Sequence, residues 1–221
     1  MNAKKIVTAG LALVMVAGIS VAGTLAYLTS TTGPVTNTFT VGAGVDIDLD
    51  EAKVGTDGKK IVGEGAERVV ENTYALAPGG IYDKDPTVHV TGDSCWVFVT
   101  VENPIADYEG STSIADQMTT NGWVSLGMTD AGLPLYGYGA KAGDVFTPTA
   151  VSASSDDHDL EVFTTLTIGN LDNDQNAALK AIVDPEEGEG KDIVVTAYAI
   201  QSANMNSVAT ALDALGLVDA E

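Results

Sequence analysis

Short segments in which apolar and polar residues alternate recur along most of this 221-residue chain. Residues 45–50 are the clearest example, because three aliphatic side chains there alternate with three aspartates. A two-residue period places successive side chains on opposite faces of a β-strand. About nine or ten such segments, separated by Gly, Asp and Pro turns, predict an all-β protein with an antiparallel β-sandwich. Val208, Leu212 and Leu215 have helical spacing and predict a short helix at the C-terminal end.

Two segments are apolar enough to form the centre of a sheet. Residues 95–102 carry apolar or aromatic side chains on both faces, which is typical of a strand covered on both sides, and residues 192–201 form a second strong strand. Residues 87–91 lie just before the first of these, across a Gly-Asp pair, and are expected to pair with it as a hairpin. Residues 160–168 are predicted to form one continuous strand.

The first 26 residues have the pattern of an export signal. Two lysines precede the uncharged run 6–21, and Thr24 and Ala26 supply small side chains at the −3 and −1 positions of a signal-peptidase site, with the cut before Tyr27. The uncharged run continues to residue 28, so an uncleaved membrane anchor is the alternative. The predicted organisation is a signal peptide over 1–26, an extended segment over 27–40 and a β-sandwich domain over 41–221.

Charge restricts the partners of the mature chain. The leader carries two of the ten basic residues and none of the 31 acidic ones, so the mature net charge is about −23. Such a surface repels nucleic acid and anionic lipid, and we expect no nucleic-acid partner and membrane contact only during export. Cys95 is the only cysteine and alternates with valines, which predicts a buried thiol and excludes an intramolecular disulfide.

Several segments, in this order, resemble TasA/camelysin-type proteins. The resemblance implies a leader cut by a SipW-type signal peptidase and a secreted fibre subunit in the extracellular matrix or at the cell surface of a Gram-positive bacterium. It also implies that the sandwich is jelly-roll-like, that the protein has a biofilm-matrix role, and that it assembles with further copies of itself or with related matrix proteins. The segments are GTLAY at 23–27, VTNTFTVG at 35–42, VDIDL at 45–49, YALAPGG at 74–80, CWVFV at 95–99 and VVTAYAIQ at 194–201.

The segment 27–40 is the candidate polymerisation strand. It is nearly free of charge, rich in Thr and Val, and begins at the predicted cleavage site. An open sheet edge can accept such a segment from a neighbouring molecule, with Leu28, Val35, Phe39 and Val41 as the inserted side chains. The alternative is that it forms the first strand of its own sandwich. The resemblance implies exchange between subunits.

The sequence carries no convincing catalytic set, so we expect no enzymatic activity and no cofactor. Camelysin-like relatives have been described as metalloendopeptidases, but His89 and His158 lack partners at zinc-ligand spacing. Structural calcium is the more reasonable metal, with Asp156, Asp157 and Asp159 as candidate ligands.

A binding role is the other alternative. Tyr136 and Tyr138 lie on one face of a predicted strand, where they either pack against the core or form a platform for a glycan. In the second case the chain would be a monomeric cell-surface adhesin or glycan-binding sandwich.

Overall fold

A computed structural model describes residues 29–33, 36–37, 44–184, 191–203 and 205–219. Within these ranges no helix is long and apolar enough to cross a bilayer. A single 3-10 turn spans Ala106–Tyr108, and the α-helices are α1 Ile114–Thr120, α2 Asn173–Val183 and α3 Val208–Ala214. The strands are β1 Thr29–Gly33, β2 Thr36–Asn37, β3 Ile47–Ala52, β4 Arg68–Val69, β5 Ile81–Asp83, β6 Thr87–Val90, β7 Cys95–Glu102, β8 Trp123–Met128, β9 Pro134–Ala142, β10 Val145–Pro148, β11 Asp159–Glu161, β12 Thr165–Thr167 and β13 Val194–Gln201.

These strands form two main antiparallel sheets. The large sheet has the order β10-β9-β7-β13-β1-β2, with β8 also paired to β9, and the small sheet has the order β11-β6-β3-β4. A separate two-stranded sheet joins β12 to β5. The predicted all-β sandwich with short helices, one of them at the C-terminal end, is confirmed.

The large sheet is buried on both faces around β7. Val97 and Val99 point into the main core, which they share with Val88 and Val90 of the small sheet. Phe98 lies in a second cluster, where Leu212 of α3 covers the opposite face. This two-sided burial explains why both faces of residues 95–102 are apolar, and it confirms their predicted central place.

The predicted hairpin between residues 87–91 and β7 is wrong. β6 pairs with β3 and β11, whereas β7 pairs with β13 and β9 in the other sheet. The backbone N–H of Thr91 still donates to Asp46, but that of Cys95 donates to Val151, so the chain crosses between sheets at residues 92–94. A Gly-Asp pair is compatible with a hairpin or a crossover, and here burial of β6 and β7 against each other across the core selects the crossover.

The single strand predicted over residues 160–168 is also wrong. β11 pairs with β6 and β12 pairs with β5, so the segment is divided between two sheets. Val162 and Phe163 are consecutive and both fully buried. A regular strand cannot bury two successive side chains on one face, and the chain therefore turns inward between the two strands.

The irregular segment 53–84 is held by ion pairs. It contains five of the eight basic residues that follow residue 26, and each of the five pairs with a carboxylate. Lys84 is the most enclosed of the five, with its Nζ 2.8 Å from Oε2 of the buried Glu51. The pairs are Lys53–Glu67, Lys59–Asp83, Lys60–Asp85, Arg68–Asp50 and Lys84–Glu51.

One side-chain amide fastens α1 to the start of β12. Oε1 of Gln117 accepts from the backbone N–H groups of Thr164 and Thr165 at 3.1 and 3.0 Å and from both of their hydroxyls. Its Nε2 donates to the carbonyl of Thr165 at 2.9 Å. Gln117 thus makes the hydrogen bonds that a neighbouring strand would make.

Replacing Gln117 with leucine should lower the free energy of unfolding by about 2 kcal/mol, because the two threonine amides lose their acceptor while the side-chain volume is kept. Urea denaturation measures the change. Thr120→Ala, at an exposed position of the same helix, is the matched control and should change stability by less than about 0.5 kcal/mol. Equal effects of the two variants would contradict this role of Gln117.

Candidate assembly edge

Strand β13 joins the two halves of the large sheet. Along one side all eight of its residues pair with β7, from Val194 opposite Glu102 to Gln201 opposite Cys95. Along the other side it pairs with β1, from Thr29 opposite Ile200 to Thr32 opposite Ala197. The predicted strand at 192–201 is confirmed, and its second side pairs with β1, the segment that follows the predicted leader.

The sequence of β13 leaves that second side unprotected. Residues 193–201 contain no charged residue and no proline, and Val195, Ala197, Ala199 and Ile200 are buried. Charged residues, prolines and bulges are the usual means by which an edge strand avoids pairing with another chain. Since β13 has none of the first two along this stretch, it depends on β1 to occupy its backbone donors and acceptors.

The opposite end of the large sheet is built differently. Strand β8 pairs only with β9 among the described strands, and its register shifts between Ser125 and Gly127. Gly127 adopts a φ of 102°, which L-residues rarely adopt. A bulge of this kind bends an edge strand and discourages further pairing. The β13 side is therefore the better acceptor of the two.

The predicted donor segment is described only in part. Strand β1 begins two residues after the predicted cut, and β2 folds back on it with Thr32 opposite Asn37. In the structure β1 is part of the large sheet of its own molecule. This arrangement corresponds to the alternative that the segment forms the first strand of its own sandwich. The other predicted site residues, Thr24, Ala26, Tyr27, Leu28, Val35, Phe39 and Val41, lie outside the described residues.

The candidate metal ligands are not brought together. Among the described residues, no three His, Cys, Asp or Glu side chains converge as a ligand set. Oδ1 of Asp159 lies 2.6 Å from Nδ1 of His89, while Asp156 and Asp157 are exposed. Nδ1 of His158 lies 2.9 Å from the carbonyl oxygen of Ser155.

Cys95 belongs to the core, and the two tyrosines pack against it. Cys95 is fully buried, as predicted, and burial raises the pKa of its thiol to about 12. Tyr136 and Tyr138 are partly buried against the main core, and the ring of Tyr138 meets that of Trp123 edge-on at 5.4 Å. Tyr138 also lines a cleft of about 330 Å³ together with Lys60, Arg68, His89, Asp157 and Glu161.

Comparison of the chain with family models, with curated proteins and with solved structures finds no match. The resemblance to TasA/camelysin-type proteins therefore rests on the short segments named above. The sequence predicted residues 27–40 as a donor segment but did not identify β13 as its candidate acceptor. The uncharged, proline-free run over 193–201 is the signal that identifies β13, because such a strand needs a partner on each side.

The register between β1 and β13 can be tested with cysteine pairs. A Thr31→Cys/Tyr198→Cys variant should form a disulfide on mild oxidation, because these residues are Cα partners. Thr31→Cys/Thr196→Cys, shifted by two residues, is the control and should stay reduced. Mass spectrometry of the monomer fraction measures both, and efficient bridging of the shifted pair would contradict the register.

Proposed function

We propose that this protein is a secreted structural subunit of an extracellular fibre, similar in role to the TasA-like matrix proteins that it resembles. In this proposal, leader removal before Tyr27 frees residues 27–40, which pair with β13 of a neighbouring molecule. One observation carries the proposal. The strand just after the predicted cleavage site lies against Ala197–Ile200 of β13, at an edge that has no protection of its own.

Exchange of this strand between molecules conserves the contacts that each molecule already makes. A neighbour's residues 29–33 can form the same backbone hydrogen bonds in the same register as the molecule's own segment. Exchange of an identical element is for this reason a low-cost route to association. Since the donor and acceptor surfaces differ, the contact is heterologous, and repeated addition gives an open filament rather than a closed dimer.

The composition of the chain is consistent with that of an extracellular fibre protein. The mature net charge of about −23 keeps free subunits soluble and apart. With Cys95 buried and alone, no disulfide contributes to stability, so neighbouring subunits become a source of stabilisation. A SipW-type signal peptidase would then control when the donor strand becomes available.

Mixing two single-cysteine variants tests the exchange directly. Processed Thr31→Cys protein and processed Tyr198→Cys protein, mixed and oxidised under assembly conditions, should form disulfide-linked pairs of one chain of each kind. Cys95 can stay in place because it is fully buried. Non-reducing electrophoresis and mass spectrometry measure the product.

The matched control replaces Tyr198→Cys by Ser125→Cys on the bulged edge strand β8. This position is exposed but lies at the other end of the sheet, so the mixture with Thr31→Cys should give no specific product. If fibres form in the mixture of Thr31→Cys and Tyr198→Cys proteins but no disulfide-linked pairs are found, strand exchange would be contradicted.

Deletion of residues 27–39 should leave a folded monomer that forms no fibres, because the donor is lost while both sheets keep their cores. Negative-stain microscopy and sedimentation measure the outcome. A synthetic peptide of residues 27–40 should bind this variant at about one to one, and a peptide of scrambled order should not. Fibres formed by the deletion variant would refute the proposal.

A second candidate function is a monomeric glycan-binding protein, and the position of Tyr138 favours it. Its ring lines the open cleft beside polar side chains that include Thr87 and Glu161, which could hydrogen-bond sugar hydroxyls. Glycan-array binding by a protein that stays monomeric, lost on Tyr138→Ala, would support this function over fibre assembly.

A further inference from the structure

A row of alternating charges crosses all four strands of the small sheet. His89 of β6 lies between two carboxylates, with Nδ1 2.6 Å from Oδ1 of Asp159 on β11 and Nε2 2.8 Å from Oδ1 of Asp50 on β3. Arg68 of β4 completes the row, since its Nε donates to the same oxygen of Asp50. Its Nη2 also donates to the backbone carbonyl of Asp50 at 3.0 Å. Each strand of the sheet thus supplies one charged group.

Only the protonated form of His89 can make both of its contacts. A neutral imidazole has one N–H donor and one acceptor nitrogen, whereas both of its neighbours here are carboxylate oxygens. Partial burial alone would lower the pKa of His89, but its hydrogen bonds with Asp159 and Asp50 and their charges outweigh burial, so the pKa is raised. The hydrogen bond with His89 likewise holds the pKa of Asp159 below its ordinary value.

Loss of the proton would leave a surplus of negative charge around the ring. Asp48 is the direct Cα partner of His89 on β3, and Nε2 of His158 is 4.0 Å from the same oxygen of Asp159. Arg68 and Lys60 line the same cleft as His89, but both also pair with Asp85. The charged and titratable groups around His89 are Asp48 and Asp50 from β3, Arg68 from β4, Lys60 and Asp85 from the neighbouring loops, Asp157, His158, Asp159 and Glu161 from the β11 segment, and Tyr138 from β9.

The strand held by this row is a weak one. β11 has three residues and pairs only with β6 among the described strands. Asp159 and Leu160 are the Cα partners of His89 and Val88. The contact between the Asp159 carboxylate and the imidazole therefore joins two residues that lie directly opposite each other in the backbone pairing. Leu160 is the residue of β11 that is buried in the core. A local opening at β11 would therefore expose Leu160, the edge of β6 and one wall of the cleft.

We propose that His89 is a pH-dependent link between β3 and β11. The charged ring joins the two strands, and its deprotonation releases β11 from the edge of the small sheet. The folded-state pKa of His89 lies above the unfolded value of about 6.5, so the stabilisation is fully present below about pH 6.5 and is lost as the pH rises through the folded-state pKa. This inference is independent of fibre assembly, because β11 and β13 belong to different sheets.

Two measurements on the processed protein test this pH-dependent link. NMR titration of both histidines in the unchanged protein should give a higher pKa for His89 than for an unstructured histidine. The folding equilibrium constant, from urea denaturation between pH 5 and 9, should fall with rising pH by about tenfold for each unit of that difference. Amide hydrogen exchange at Leu160, corrected for its intrinsic pH dependence, should rise over the same range.

The variants are His89→Gln and, as the matched control, His158→Gln. His89→Gln should remove the fall in stability above pH 6.5, and His158→Gln should retain it. If His89→Gln does not fold, Asp159→Asn serves instead and should lower the pKa of His89, whereas Asp157→Asn in the same loop should change it less. A His89 pKa at or below that of an unstructured histidine, or a pH dependence that survives in His89→Gln, would overturn the proposal.

Discussion

The antiparallel ladder between β7 and β13 is the interaction on which the rest of the fold depends. It pairs every residue of both strands and places apolar side chains on both faces of the sheet at once. One face supports the main core against the small sheet, and the other supports the cluster under α3. β9 and β1 then extend the sheet on either side, so a change that breaks this ladder would disturb both cores together.

Charge organises the parts of the molecule that the apolar cores do not reach. The irregular segment 53–84 is largely exposed, and its basic residues pair with carboxylates of β3, of the segment itself and of the residues that lead into β6. Because only eight basic residues follow residue 26, this local pairing leaves most of the remaining surface acidic. The five basic side chains of this segment thus have defined partners in the structure. The excess of acidic side chains, by contrast, is a feature of the surface as a whole.

The sequence predicted what depends on local pattern and missed what depends on distant partners. Apolar residues on both faces of 95–102 identified the central strand, and helical spacing identified α3. The alternation of aspartates with aliphatic residues at 45–50 predicted a strand, but it did not show that Asp50 contacts His89 and Arg68, which are 39 and 18 residues away. Similarly, alternation over 160–168 concealed the turn at Val162 and Phe163, because periodicity does not report which of two sheets a residue joins. Composition predicted residues 27–40 as a donor segment, whereas β13 became its candidate acceptor only once the strand order was known.

The late position of β13 in the chain has a consequence for synthesis. A ribosome releases β1, β7 and β9 long before residues 194–201, so the strand that unites them is made after all three. Until then β7 lacks the strand with which it makes its most extensive pairing, and its apolar side chains have no complete layer to enter. Completion of the core must follow translation of residues 194–201, and shortened products that stop before residue 194 are expected to be substrates for chaperones and proteases rather than stable intermediates.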